Sequence, residues 1–308
     1  LQNAWKIPEL RKKLIFTLFI LLIYRVGNVI PVPFIDVTTL ASYFDSVLST
    51  TIFGLLNAMS GSAFSQATVF ALGIQPYINS SIIIQLLTIA IPALERLAKE
   101  GGEEGKKKIA RITRYTTVGL GLLMGWAYYM MLRNYSTQGF KIITDESVLA
   151  AIVIILAFTA GSSVVMWLGE QITEHGIGNG ISMILFAGIL SGASSAVLTM
   201  WNYFRMGAQA VKYYFYVPLI LVLFLVMIVF IVIMNSAERR IPVQYAKRVV
   251  GRKMYGGQSS FMPIKVNMSG VLPIIFASSI LAVPGTIKAF IPMNPDGWLY
   301  KFLSAFNY

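Results

Sequence analysis

The sequence predicts an all-α membrane protein, a polytopic bundle of transmembrane helices. Of its 308 residues, 56% are hydrophobic and only 12% are charged, where an ordinary soluble domain carries about 25%. The apolar residues gather in long runs, and a helix needs ~20 of them to cross the hydrocarbon. None of these runs alternates apolar and polar residues as a barrel strand does, so the spanning elements are helices.

Seven runs are long enough: about 14–34, 69–91, 115–135, 147–168, 177–200, 213–234 and 269–291. "PVPF" follows the first, with no small-residue cleavage site, so that run reads as a retained span and not a signal peptide. Net charge is +12, but the positions of the charges say more than their sum. The N-terminal segment carries Lys6, Arg11, Lys12 and Lys13. The loop after the second span carries Arg96, Lys99, Lys106, Lys107, Lys108, Arg111 and Arg114. The loop after the sixth carries Arg239, Arg240, Lys247, Arg248, Arg252, Lys253 and Lys265. These three segments hold 18 of the 25 basic residues and fall on one side if seven spans alternate. Lys and Arg stay on the cytoplasmic side, so the N-terminus is expected there. The short 169–176 turn lies inside by this count but has no Lys or Arg.

The stretch 51–66, "TIFGLLNAMSGSAFSQ", is too short and too rich in Gly, Ser and Ala to span alone. It reads either as a surface loop with one helical turn or as a re-entrant segment shielded by surrounding protein. Arg25 lies within the first span and either snorkels to the interface or faces the bundle. The second span holds Gln75, Pro76, Asn79, Ser80, Ser81 and Gln85, and the seventh holds Pro273 and Pro284. Such polar groups usually face a bundle interior.

In "ALGIQPYINSSIIIQLL", Gly73 and Pro76 loosen the helix start, and Ile78 and Ile82, four apart, share a face. In "GEQITEHGIGNGIS", Gly176, Gly178 and Gly180 fit a tight turn, with Asn179 near a cap position. No strand precedes these glycines and no Lys follows them, which excludes a phosphate loop. Ile181 and Leu185 are again four apart, and Leu272 and Ile275 flank Pro273. Each pair is compatible with plain packing.

These segments also carry a resemblance. "ALGIQPYINSSIIIQLL", "WLGEQITEHGIGNGIS", "RRIPVQYAKRVVGRK" and "MPIKVN" with "GVLPIIFASSI" are similar, in order and spacing, to the signatures of the SecY family. The resemblance runs from near residue 5 to the end and covers the first seven of that family's ten helices. The second half is therefore expected to be incomplete, with the last three helices cut off or left out beyond Tyr308. It implies an hourglass channel of inverted repeats. The chain then divides into a cytoplasmic tail 1–13, an N-terminal half 14–200, and the start of a C-terminal half 201–308 with a cytoplasmic loop at about 236–267.

The same resemblance implies roles for residues. Ile78, Ile82, Leu185 and Ile275 belong to an aliphatic ring at the waist, with Ile181 and Leu272 as further lining. Phe53, Gly54, Leu55, Leu56, Asn57, Ala58, Met59, Ser60 and Gly61 form a plug outside the ring. The second, third and seventh helices contribute to a lateral gate. Arg240, Arg252 and Lys253 dock the ribosome, including its RNA, or the SecA ATPase; a solvated positive-inside loop is the plainer explanation of these charges. SecE and SecG subunits, signal sequences, nascent chains and membrane lipids are the remaining implied partners. The implied function is a protein-conducting channel subunit of the Sec translocase in the bacterial plasma membrane. It would move unfolded polypeptides across and release apolar segments sideways. An aliphatic ring suits that task, because it excludes water when shut and binds no passing residue strongly.

The residues exclude several other classes. Cysteine is absent and His175 is the sole histidine, so neither a thiolate site nor a histidine cluster can form. No nucleophile–base pair or nucleotide loop is evident, and the chain reads as a non-enzyme without cofactor or metal. A secondary transporter for a small solute is the alternative. It would need paired ionisable residues at mid-membrane, and Asp and Glu occur only at span edges.

Overall fold

The computed structural model describes residues 6–45, 52–137, 141–206, 212–243, 248–250, 253–255, 260–267 and 277. By contact the chain divides into two compact units, one reaching Ser195 and a second from Ala196 to Ala277.

The first unit is built from helices. α1 (Pro8–Gly27) starts on a proline, which loses nothing at a position whose N–H is orphaned anyway. It begins inside the expected 1–13 tail, because Glu9 and the basic residues there continue the helix. Thr17, Ile20, Tyr24 and Gly27 form its buried stripe, spaced three and four apart. The expected span ran to residue 34, yet the helix stops at Gly27. Pro31 and Pro33 supply no donors and cannot continue it. The apolar residues beyond form a loop of mixed burial instead: Val29 and Ile30 are exposed, while Val32 and Ile35 are buried and Pro31 bridges Thr68.

α2 (Val37–Tyr43) is capped by Asp36, whose carboxylate accepts from the Thr38 and Thr39 N–H groups. α3 (Ile52–Ser60) is the short helix of the 51–66 stretch. Turns then run over 61–74, with Gly61, Ser62, Ala67 and Gly73 at positive φ. α4 (Gln75–Ala90) starts later than the expected residue 69, at the Gln75–Pro76 step. It ends where Ile91 turns extended before Pro92, as a residue preceding proline prefers. α5 (Pro92–Lys99) leaves at 101° to it.

α6 (Gly102–Thr137) runs for 36 residues without a break. α7 (Val148–His175) is capped by the Ser147 hydroxyl, which accepts from Ala150 N–H. It extends seven residues past the expected 147–168 span, since 169–175 holds no proline and the lone Gly169 is tolerated inside the helix. Glu170 and Glu174 therefore lie on a helix and not on a turn. α8 (Gly180–Ser191) and α9 (Ala193–Met206) meet at Gly192.

The core of this unit is aromatic. Phe64, Tyr128 and Phe158 pack in sequence, tilted and then edge-to-face, with centroids 4.6 and 4.9 Å apart, and Phe158 is fully buried. Leu40, Leu132, Ile142 and Ile154 close around them.

The second unit takes in α9 from Ala196 onward and α10 (Lys212–Ser236), with Pro218 inside α10 and an exposed apolar surface all round it. The 236–267 loop carries strands that the sequence reading did not anticipate. β1 (Glu238–Val243) pairs antiparallel with β4 (Ser260–Lys265), Arg240 opposite Pro263. β2 (Arg248–Val250) pairs antiparallel with β3 (Lys253–Tyr255).

Three described helical stretches are long and apolar enough to cross a membrane: Val148–His175, Gly180–Met206 and Tyr214–Ser236. α4 and α5 would add a fourth if the bent pair counts as one span. α1 is diluted by Arg11, Lys12, Lys13 and Arg25. The seventh expected span, 269–291, lies outside the described residues, apart from Ala277.

Candidate functional site

The site grows around α3. Its C-terminal end is wedged between α1 and α8. A Cβ on Gly188 would overlap the Met59 carbonyl oxygen, so only glycine lets the two backbones approach this closely. Gly61, at φ +70°, turns the chain out of the helix, and a Cβ there would stand 2.7 Å from the Ser191 hydroxyl. Asn57 folds the following turn back: its Oδ1 accepts from Ser65 N–H at 2.9 Å, and its carbonyl accepts from Ser62 N–H at 2.9 Å. Phe64 is then anchored through its carbonyl, which accepts the Tyr128 hydroxyl at 2.6 Å.

A cavity of about 40 Å³ opens beside α3. Leu56 and Met59 of α3, Gln75 at the start of α4, Met124 of α6 and Leu185 of α8 contribute to its wall. It has room for a few waters at most and none for a peptide. The predicted ring residue Leu185 and the predicted plug residues Leu56, Met59 and Ser60 thus line one small, partly open cavity.

The other expected residues fall as follows. Ile78 is buried in α4, and Ile82, one turn on, is half-buried; both lie outside the lining of that cavity. Ile181 of α8 and Ile74, just before α4, meet over Gly169 of α7, 3.5 and 3.6 Å from where a Cβ on it would sit. The entry turn of α8 forms as its glycines suggest. Asn179 Oδ1 accepts from Ile181 and Ser182 N–H at 3.0 and 3.3 Å, Gly178 takes φ +71°, and Gly180 packs onto the Gly169 carbonyl. Leu272, Ile275 and Arg252 lie outside the described residues, as do the side chains of Phe53, Leu55 and Lys253. Arg240 is exposed on β1, with its guanidinium 4.8 Å from the Phe261 ring centroid. The lone His175 packs against Phe16 at 5.9 Å.

The buried polar groups of the spans are consumed internally. Ser80 donates to the Thr113 carbonyl at 2.8 Å, Thr117 to the same oxygen at 2.7 Å, and Thr159 and Ser162 to carbonyls of their own helix. Only the Ser80 bond joins two helices, and among the described residues these groups offer no converging site to a solute. Outside the spans, Arg114 pairs with Glu170 at 2.8 Å, which raises the guanidinium pKa further.

The sequence reading missed Tyr24, Asn28, Met124 and Gly188. For Asn28 a signal existed: an amide directly after a 20-residue helix, inside an apolar run.

The SecY family model matches residues 68–307. The chain belongs to the SecY family. Among curated SecY translocase subunits, that of Streptomyces scabiei is 44% identical over 98% of this chain and 70% of its own length. That of Streptomyces coelicolor is 46% identical over 96% and 68%. Three solved structures share the fold. One, described as a protein-conducting channel, has a TM-score of 0.64 at 19% identity, covering 96% of this chain and 66% of its own. The channel of the canine ribosome–channel complex from the endoplasmic reticulum gives 0.63 at 19%, with the same coverage. A SecY whose plug domain is described as stabilising the closed state and maintaining a membrane seal gives 0.58 at 18%, over 94% and 62%. The chain spans about two thirds of the length of these SecY-type proteins. It is a multi-pass helical membrane protein and part of a protein-translocation channel subunit.

Proposed function

We propose that this chain forms the N-terminal half and the beginning of the C-terminal half of a pore that passes unfolded polypeptides across the bacterial plasma membrane. Apolar segments leave the same pore sideways into lipid. The observation that carries this reading is the small, partly open cavity that α3 and Leu185 line together. A short helix that cannot span is held at the wall of the bundle, against a residue expected at the waist. Leu56 and Met59 of that helix form one side of the cavity and Leu185 the other, as in a channel shut by its own chain. The solved SecY whose plug domain is described as keeping a membrane seal supports assigning that part to α3. Ile78, Ile82, Leu185 and Ile275 form the ring, with Ile181 and Leu272 beside it.

The N-terminus is cytoplasmic in this reading, by the Lys and Arg distribution. The β1–β4 ribbon and the β2–β3 turn then project into the cytosol. Arg240, Arg252 and Lys253 meet ribosomal RNA phosphates or the SecA ATPase, and SecE and SecG complete the complex. The canine neighbour was solved as a ribosome–channel complex, which supports a ribosome-facing role for these loops. The chain performs no hydrolysis of its own; the energy comes from those partners.

The test is reconstitution of the full-length subunit with its partners in vesicles. A presecretory polypeptide should become protease-protected when SecA and ATP are supplied. Uptake of a small solute, with no polypeptide protected, would refute the proposal.

A further inference from the structure

The carbonyl oxygen of Ser60, at the C-terminal end of α3, receives no backbone N–H among the described residues. The last carbonyls of any helix lack intrahelical donors and need another partner. Here both partners come from α1. The Asn28 amide donates to the Ser60 oxygen at 3.1 Å, and the Tyr24 hydroxyl donates to it at 3.4 Å. All three residues are at least nine-tenths buried: Tyr24 is 2% exposed, Asn28 4% and Ser60 5%.

Two features separate this arrangement from an ordinary cap. First, it is long-range, tying positions 32 and 36 residues apart through one acceptor. Second, it is incomplete. Asn28 Oδ1 is the one buried side-chain oxygen or nitrogen without a hydrogen-bond partner among the described residues. A buried unpartnered acceptor destabilises the seated state, and it would regain water if α3 moved away. A buried amide that carries such a cost suits a contact that must open.

We propose that Tyr24 and Asn28 form a releasable latch that holds α3 in its seat, so that the first span governs when the plug leaves. This inference rests on the plug reading of α3. The wall opposite adds steric hold: Gly188 and Ser191 of α8 close around Met59 and Gly61, and the Ser191 hydroxyl donates to the Gly188 carbonyl of its own helix. The latch is therefore the directional part of the seat, and its strength sets the fraction of time the plug is out. Thr17, two turns earlier on the same helix, accepts from Ile177 N–H at 3.2 Å, so α1 also grips the turn into α8. A shift of α1 would loosen both contacts together.

A Leu56→Cys reporter in the full-length, partner-assembled channel, with every other cysteine of the complex replaced by serine, reads plug exposure by maleimide labelling in vesicles; these 308 residues contain no cysteine to replace. Tyr24→Phe removes only a hydroxyl, and Asn28→Ala removes the amide. Each should raise the labelling rate about fivefold, the factor that one net hydrogen bond commands. Ion leak through the resting channel should rise in parallel. A variant lacking residues 52–60 serves as the reference for an absent plug. If that deletion leaks but Tyr24→Phe and Asn28→Ala both label and leak as the parent does, the latch is overturned while the plug stands. If the deletion itself does not leak, the plug reading fails and the latch with it. Tyr24→Phe keeps the ring stacked on Phe70, 5.9 Å between centroids, so misfolding does not mask its outcome.

Discussion

Replacing Gly161 by alanine should destabilise the fold, whereas the same change at Gly119 should not. Gly161 lies on α7 against the 61–74 turns. A Cβ there would overlap the Val69 carbonyl oxygen and stand 2.7 Å from its carbon. Carbon atoms rest about 3.5–4.0 Å apart, so the Val69 peptide would have to retreat by roughly 1 Å. That peptide is tied down, because Val69 N–H donates to the Ile30 carbonyl at 2.9 Å. Overpacking of this kind costs about 1–3 kcal/mol. At Gly119 on α6 nothing lies within 4 Å of an added methyl, and alanine is the better helix former by about 1 kcal/mol. The helix gain applies at both positions and cancels, so the two variants should differ by roughly 1–3 kcal/mol, with melting midpoints roughly 2–12 °C apart. Far-ultraviolet circular dichroism melts in detergent measure this. If Gly161→Ala melts at or above Gly119→Ala, the helix–turn contact is soft and the argument from close approach is wrong.

Further outcomes follow from other contacts. Hydrogen bonds from the Thr38 and Thr39 hydroxyls hold the Asp36 carboxyl at about 2, below its ordinary 3.8. A lowered folded value adds stability above the ordinary pKa and loses it as pH falls through the folded one, so this contribution should fade between 3.8 and about 2. Asp36→Asn should abolish that dependence, and acid melting series of the two proteins should converge at the low end. For the Arg114–Glu170 pair, with side chains 48% and 19% exposed, a double-mutant cycle with Arg114→Gln and Glu170→Gln should give a coupling of about 0.2–1 kcal/mol that shrinks in salt. A larger, salt-insensitive coupling would mean the pair is more enclosed than its surface suggests. Arg252→Glu with Lys253→Glu should weaken ribosome co-sedimentation at moderate salt, since each reversal loses a phosphate contact. Unchanged binding would leave these charges as solvated topology markers.

Much of the bundle was legible because helix length and lipid thickness are tightly coupled. Asn179, Gly178 and Gly180 also announced their turn, since cap and left-handed positions accept few residue types. The misreadings share a cause. Hydropathy reports burial and not whether a residue is helical, so the apolar loop at 28–36 looked like the end of a span until Pro31 and Pro33 are weighed. Conversely, α7 and α6 continue past their apolar portions, because charged residues such as Glu170 and Lys107 favour helix as well as any. The β1–β4 ribbon was hidden because Arg239 and Arg240 read as charge and not as strand. At the site, Leu185 was identifiable by spacing and resemblance. The hold on Ser60 was not, because a backbone acceptor and two donors more than 30 residues away leave no local pattern.

The unbroken length of α6 has a mechanical meaning. At about 1.5 Å per residue, its 36 residues make a rod of roughly 54 Å, while the hydrocarbon is about 30 Å thick. Some 24 Å must therefore stand clear of the oily layer as a stiff mast, and Lys106, Lys107, Lys108 and Arg111 sit on its first turns. Proline is absent along the rod, so it has no built-in elbow. A tug on the protruding end by anything that grips those charges would be conveyed undamped to Tyr128 and Leu132, deep among the packed rings at the far end.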